Sequence, residues 1–335
     1  MAKLSKEQAQ EILESHGYKI IDYLGEGAAS YVFHAMRHRR KDGIEKQVAA
    51  KVCCPSSESF ASLSNELEAA DELKKLKDDF KAKVKQKIAE ARKNGNSELA
   101  KKLEDEQEMR LKKYFKYLTI PKFKQELRYD DDKRGKTYTV AIFEAPLADS
   151  NMRWPGDSLD RERELETGSS EITVIKNANV NYRELKRIMR SVLKGLKTIH
   201  SQNMSHGDIH LGNVLRKIDP LKRKYRYSIT DFGTLKKYPG GISEWRIKSD
   251  LKQASNVFIN LWFYCLNGIR GNKAGCEGPR YLGQPIGVLL VGGSMAKYFP
   301  TKEDIELSNC CRSLWSGDYE SAEEALEKDP WLKKS

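Results

Sequence analysis

The chain has 335 residues, of which 32% are charged, 39% hydrophobic and 9% aromatic. That is enough apolar material for a sizeable core, which excludes wholesale disorder and makes two domains, or one domain of two lobes, the natural division. The 60 Lys/Arg against 48 Asp/Glu leave a net charge of +12, which suits phosphates, nucleic acid, acidic partners or a membrane surface without choosing among them. The cysteines (Cys53, Cys54, Cys265, Cys276, Cys310, Cys311) form no CxxC and show no ligand-like spacing. They read as reduced thiols of an intracellular, cytoplasmic protein. The opening MAKLSKEQAQ lacks the apolar segment of a signal peptide, and the longest apolar stretch, Val257 to Leu266, is too short to cross a bilayer.

In chain order, Ser5 to Gln8 spells a capping box for a short helix that Gly17 ends. Strand patterns follow at Tyr18 to Leu24, Ser30 to Ala35 and Gln47 to Cys54, with the basic loop RHRRKDG between the last two. From about Phe60 the period becomes helical: Leu63, Leu67, Ala70, Leu73, Leu76, Phe80, Val84 and Ile88 form a narrow apolar stripe on a charged helix. Asn94-Gly95-Asn96 breaks it, and Leu99, Leu103, Met109 and Tyr114 mark a second arm, so residues 57–118 read as a long antiparallel helical hairpin. Between Lys74 and Lys116 there are 15 Lys/Arg against 8 Asp/Glu, so most of the excess charge belongs to this hairpin. Strands return at Phe123 to Tyr129 and Thr137 to Ala145, residues 147–180 read as loop, and Asn181 to Ser201 is a strongly amphipathic helix.

Five separated elements carry chemistry. Gly25-Glu26-Gly27-Ala28-Ala29-Ser30-Tyr31-Val32 is a strand–turn–strand whose glycines let backbone amides approach phosphate oxygens; preceding a strand, it is a poor dinucleotide fingerprint. Lys51, inside the apolar Val48-Ala49-Ala50-Lys51-Val52, is costly to bury unless an anion meets it. Glu66 shares a helix face with Ala70 and Leu73 and can point inward to meet Lys51, with Glu68 on another face as second choice. In His206-Gly207-Asp208-Ile209-His210-Leu211-Gly212-Asn213, Asp208 is placed to accept a hydroxyl proton and Asn213 to reach a metal ion. Last, Ser228-Ile229-Thr230 runs into Asp231-Phe232-Gly233, where a carboxylate can hold Mg2+ that bridges nucleotide phosphates.

Together these elements resemble the protein kinase superfamily, whose signatures are a Gly-rich loop, a strand-three Lys, H-R-D-x-x-x-x-N and D-F-G. The likeness extends to Val140-Ala141-Ile142-Phe143-Glu144 as the last strand and hinge, to Asp250 as the buried Asp of the central helix, and to the closing Pro330-Trp331-Leu332. It implies an α+β, bilobal fold: an N-terminal helix at 1–17, an N-lobe sheet and helix at 18–146 with a charged helical insertion at about 77–118, and a mainly helical C-lobe at 147–335. It also implies ATP and Mg2+ as cofactors and a protein Ser/Thr hydroxyl as acceptor. In these terms Gly25, Gly27, Ser30 and Val32 cover the nucleotide, with Glu144 at the hinge, Lys51 on the α/β phosphates and Glu66 holding Lys51. Asp208 deprotonates the acceptor, and Asn213 and Asp231 hold the metal.

The chain also departs from the pattern. Ser30 stands for the third glycine, Gly207 for the catalytic-loop Arg and His210 for a Lys. Loss of the Arg implies activity without activation-loop phosphorylation. Between Asp231 and Asp250 lie 18 residues without A-P-E, and the Arg that would pair with its Glu is missing near Tyr319. Pro146 lacks an N–H where the hinge usually donates to adenine. H-G-D-x-H-x-x-N also resembles small-molecule kinases such as aminoglycoside phosphotransferases, so a small alcohol is the rival substrate. A non-catalytic scaffold whose hairpin binds an acidic partner is the rival of another class, with nucleic acid a minor option. His34 and His38 read as surface or half-buried groups, His206 as a buried backbone support, and Trp245, Trp262, Trp315 and Trp331 as core.

Overall fold

Ser5 opens helix α1 (Lys6–Ser15) by a reciprocal cap: its hydroxyl accepts from the Gln8 N–H at 3.2 Å while the Gln8 side chain accepts from the Ser5 N–H at 2.8 Å. The computed structural model describes residues 4–27, 30–38, 45–53, 60–104, 115–131, 135–148, 150–151, 182–219, 224–270 and 301–333. They fold as two units, Met1–Asp149 with Thr230–Leu235, and Ser150–Ile229 with Lys236–Ser335.

The first unit is built on five antiparallel strands: β1 (Tyr18–Gly27), β2 (Ser30–His38), β3 (Glu45–Cys53), β4 (Lys122–Asp131) and β5 (Lys136–Pro146), in spatial order β1-β2-β3-β5-β4. Alternation along each strand sorts side chains to two faces. On one face, Phe33, Ala35, Val48, Ala50, Val52, Val140 and Ile142 meet Leu4, Ala9, Ile12 and Leu13 of the N-terminal segment. On the other, Cys53, Ala141 and Phe143 meet Leu67 and Ala70 of helix α2 (Phe60–Lys93). Each helix thus covers one side of the sheet, and Tyr31 ties α1 down by donating from its hydroxyl to the Leu4 carbonyl at 2.9 Å.

The helical insertion is continuous with the helix that bears Glu66: α2 runs unbroken for 34 residues. The turn forms at Gly95, whose φ of 73 is cheap only for glycine, and the helical residues 97–104 fold back. Val84, Ile88 and Ala91 pack there on Ala100, with Phe80 and Leu103 at the margin, as a satellite core of its own. Met109 and Tyr114, expected on the second arm, lie outside the described residues, as does most of the expected loop at 147–180.

The second unit is mainly helical. Helix α3 (Tyr182–His200) buries Leu185, Ile188, Met189, Val192, Leu193, Leu196 and Ile199, the stripe its period dictates. Helix α4 (Glu244–Arg270) follows, then α5 (Lys302–Ser316), α6 (Ala322–Lys328) and α7 (Pro330–Lys333). Two small sheets accompany the helices: β6 (Ser150–Asn151) with β8 (Val214–Asp219) and β9 (Lys224–Ile229), and β7 (Met204–Ser205) with β10 (Lys236–Lys237). Tyr225, Tyr227 and Ile229 alternate along β9, whose end overlaps the short strand expected at Ser228–Thr230, whereas β8 escaped the sequence reading. Trp331 is 2% exposed, but Trp245 is 63% exposed and overturns its assignment to the core. It stands in the first turn of α4, where the Arg246 guanidinium covers its ring at 4.3 Å from the centroid. No helix among the described residues is long and apolar enough to cross a membrane.

Because Leu13 is fully buried under the sheet, Leu13→Ala is expected to cost about 2–5 kcal/mol in urea denaturation. The exposed Glu11→Ala serves as a near-neutral control.

Candidate functional site

In the second unit, the segment after α3 is held by one carboxylate. Asp250, fully buried on α4, accepts from the His206 N–H at 2.9 Å and the Gly207 N–H at 2.8 Å. His200 Nε2, at the end of α3, lies 2.9 Å from the same carboxylate. A carboxylate offers only acceptors, so that ring nitrogen carries the proton. One turn along α4, Gln253 donates to the Gly207 carbonyl at 3.0 Å and accepts from the Ile209 N–H at 2.7 Å. His200 and Gln253 escaped the sequence reading; the three-residue spacing of Gln253 from Asp250, on one helix face, is the signal that could have found it.

This scaffold fixes an unusual backbone. Gly207 has φ 80, a conformation that an L side chain resists, so glycine here answers a backbone demand as well as deleting a side chain. His206 is completely buried and its Nδ1 accepts from the Asp208 N–H at 3.3 Å, the supporting role expected of it. Asp208 is thereby left exposed. Asn213 closes the short 3-10 turn Leu211–Asn213 and donates from Nδ2 to the Asp208 carbonyl at 2.9 Å and to Oδ2 at 3.3 Å. His210, whose Nε2 lies 3.5 Å from Oδ2, holds the Asp208 carboxyl below its ordinary pKa; burial opposes the shift, and His206 and the Asn213 amide reinforce it.

In the first unit, Lys51 sits on β3 opposite Val32 on one side and Phe143 on the other. Directly paired residues share a face, so Ser30, which pairs with Cys53, and Val32 lie with Lys51 on the α2 side of the sheet. Lys51 Nζ meets Asp231 Oδ1 at 3.0 Å, with side-chain exposures of 17% and 43%. Asp231 has φ 61, a left-handed conformation that Asp tolerates better than most residues, and Phe232 beside it is buried. Gly25 lies at an irregularity of the β1–β2 pairing with φ 148, and among the described residues nothing approaches within 4 Å of where a Cβ would stand. Gly27 ends β1. The side chain of Glu66 lies outside the described residues, so its contact with Lys51 is not among the contacts described.

Glu144 is not brought to this face. Phe143 is the β5 residue in register with Lys51, and the next residue points the other way. The Glu144 side chain is instead buried on the α1 side, where Tyr18 donates at 2.7 Å, Lys124 at 2.8 Å and Arg37 also pairs with it. The nucleotide-binding role expected of Glu144 therefore does not extend to its carboxylate. Burial opposes ionisation of that carboxyl, but the hydrogen bonds from Lys124, Tyr18 and Arg37 outweigh it and hold the pKa below the ordinary value.

Each unit carries a hard oxygen donor of the kind Mg2+ takes: in the second, Asn213 spends its amide nitrogen on Asp208 and keeps its carbonyl oxygen, and in the first Asp231 carries a carboxylate.

A family model for the protein kinase domain matches residues 162–262, which take in α3, the Asp208 loop, β8, β9, Asp231 and the first part of α4. The search of curated proteins returned no match.

Two outcomes are expected. Asp250→Ala strands two buried donors and the part-buried Gly207 N–H and should cost about 3 kcal/mol or more in denaturation. Because the folded pKa of Glu144 is depressed, its stabilisation is present above the ordinary value of 4.5 and is lost as pH falls through the folded one. Glu144→Gln should therefore be less stable than wild type at pH 7 and show a shallower loss on acidification, read by denaturant midpoints across pH.

Proposed function

We propose that the chain, whose residues 162–262 match the protein kinase domain, is a protein kinase that transfers the γ-phosphoryl group of ATP to Ser/Thr hydroxyls of proteins. The observation that carries the reading is the Lys51–Asp231 ion pair at 3.0 Å, joining two motif residues 180 positions apart. A protein kinase domain implies ATP, Mg2+ and a protein substrate in general terms; the Ser/Thr class and the roles below are the finer part of the proposal.

In this reading Lys51 exchanges its Asp231 partner for the α/β phosphates, under a loop formed by Gly25, Gly27, Ser30 and Val32, and Glu66 steadies Lys51. Asp231 and Asn213 would hold Mg2+, which supplies charge neutralisation at the phosphate oxygens. The acceptor hydroxyl passes its proton to Asp208 while its oxygen bonds the γ-phosphorus; the bond from that phosphorus to the β–γ bridging oxygen breaks and ADP departs. The low pKa of the Asp208 carboxyl keeps it ionised to receive that proton.

Gly207 supports activity without activation-loop phosphorylation, because no arginine is present at that position to pair with a phosphate. The basic outer half of α2 supports, through its charge, docking of an acidic segment of a protein partner. A cytoplasmic location belongs to the same reading, supported by the free thiols Cys53, Cys310 and Cys311.

The test is labelled ATP with Mg2+, mixed protein substrates and, separately, small alcohols. Protein phosphoserine or phosphothreonine should form and fall by about 100- to 10,000-fold in Asp208→Ala, and Lys51→Met should lower kcat/KM. Labelling confined to the small alcohols would replace the substrate class, and no transfer at all would remove the reading.

A further inference from the structure

His210 is a polar side chain of the Asp208 loop to which the functional reading gives no task, although it is half exposed and touches the central carboxylate. Its backbone is extended, φ −144 and ψ 171, and it caps the turn Leu211–Asn213 by accepting the Gly212 N–H at Nδ1, 3.0 Å away. A nitrogen that accepts has its lone pair engaged, so the ring proton resides on Nε2. Nε2 stands 3.5 Å from Asp208 Oδ2, long for a hydrogen bond but in the range that tightens when a substrate complex forms.

The same oxygen, Oδ2, is also reached by Asn213 Nδ2 at 3.3 Å. Oδ2 is therefore anchored from two directions, while Oδ1 has no hydrogen-bond partner among the described residues. The two carboxylate oxygens are thus divided between separate tasks.

We propose, resting on the kinase reading, that His210 is a positioning residue: pinned at Nδ1 by Gly212, it holds Oδ2 of Asp208 through its Nε2–H and so presents Oδ1 to the acceptor hydroxyl. A lysine at this position could reach the carboxylate but could not accept the Gly212 N–H, having no acceptor. Histidine performs both tasks because its two nitrogens differ. This assigns His210 to the geometry of the base.

The two tasks can be separated by substitution. His210→Asn keeps an acceptor near the Nδ1 position and so retains the cap; His210→Gln keeps a donor near the Nε2 position and so retains the hold on Oδ2. In phosphoryl-transfer assays of the full chain, H210N is expected to keep the wild-type thermal midpoint. Its kcat should fall about 10- to 100-fold, the scale of a misplaced reacting group, with KM for ATP little moved. H210Q should recover most of that kcat despite a lowered midpoint. Wild-type kcat in H210N, or a loss in all variants that simply follows the thermal midpoint, would overturn the proposal. A separate readout needs no turnover: 15N shifts of the wild-type ring should show the Nε2–H tautomer, and an Nδ1–H form would sink the idea whatever the activity. A wild-type protein with the Nε2–H tautomer that transfers nothing would count against the kinase reading and leave the His210 contact standing.

Discussion

The loop that presents Asp208 depends on the buried carboxylate of Asp250. A turn that sets Gly207 at positive φ points consecutive N–H groups, those of His206 and Gly207, at α4, away from any backbone ladder that could receive them. Asp250 meets both, and takes the His200 proton as well. Three donors on one buried carboxylate supply what water would otherwise give it, which is the condition for keeping such a group inside a protein. Everything downstream inherits this anchoring: the His206 ring that props the Asp208 N–H, the turn to Asn213 and the cap made by His210.

A comparable economy operates near the C-terminus. An arginine expected near Tyr319 to serve a long-range ion pair is missing, and Tyr319 donates from its hydroxyl to Asp329 at 2.7 Å. Asp329 also receives the N–H groups of Trp331 and Leu332, each at 2.9 Å, so it caps the short last helix whose Trp331 fills the core. A short-range Tyr–Asp contact and a cap thus stabilise this corner, and the short segment between Asp231 and Asp250 need contribute no partner to it.

Much of this was legible in the sequence where a single periodicity rules. The cap at Ser5, the stripe of α3, and the strands around Lys51 follow from spacing alone, because burial on one face leaves few alternatives. Glu144 shows where legibility ended. Its likeness to a hinge residue was a matter of motif, but its face is a matter of parity: one step past the residue opposite Lys51, it belongs to the α1 side and to Tyr18, Arg37 and Lys124. Register across strands decides this, and register is set by pairing between residues far apart in sequence. Gln253 was hidden for the same reason: a polar residue on an amphipathic helix is ordinary until the loop it clamps is known to lie against it.

The charge of the chain resolves in the same physical terms. An amphipathic helix needs an apolar counterpart only along the length it shares with one. Leu67 and Ala70 of α2 pack on the sheet and Leu73 is buried beside them; past Leu76, among the described residues, the apolar stripe is covered by the short segment 97–104. There Val84, Ile88 and Ala91 are covered by Ala100 and Leu103, while Lys83, Lys85 and Lys87 stand in solvent. So narrow an apolar stripe suffices for one small packing partner and leaves most of the circumference free for lysine, whose long stem packs along the helix while its ammonium stays hydrated. The positive balance of the whole chain is therefore concentrated on an extension with its own small core, and it makes no demand on the sheet that holds Lys51.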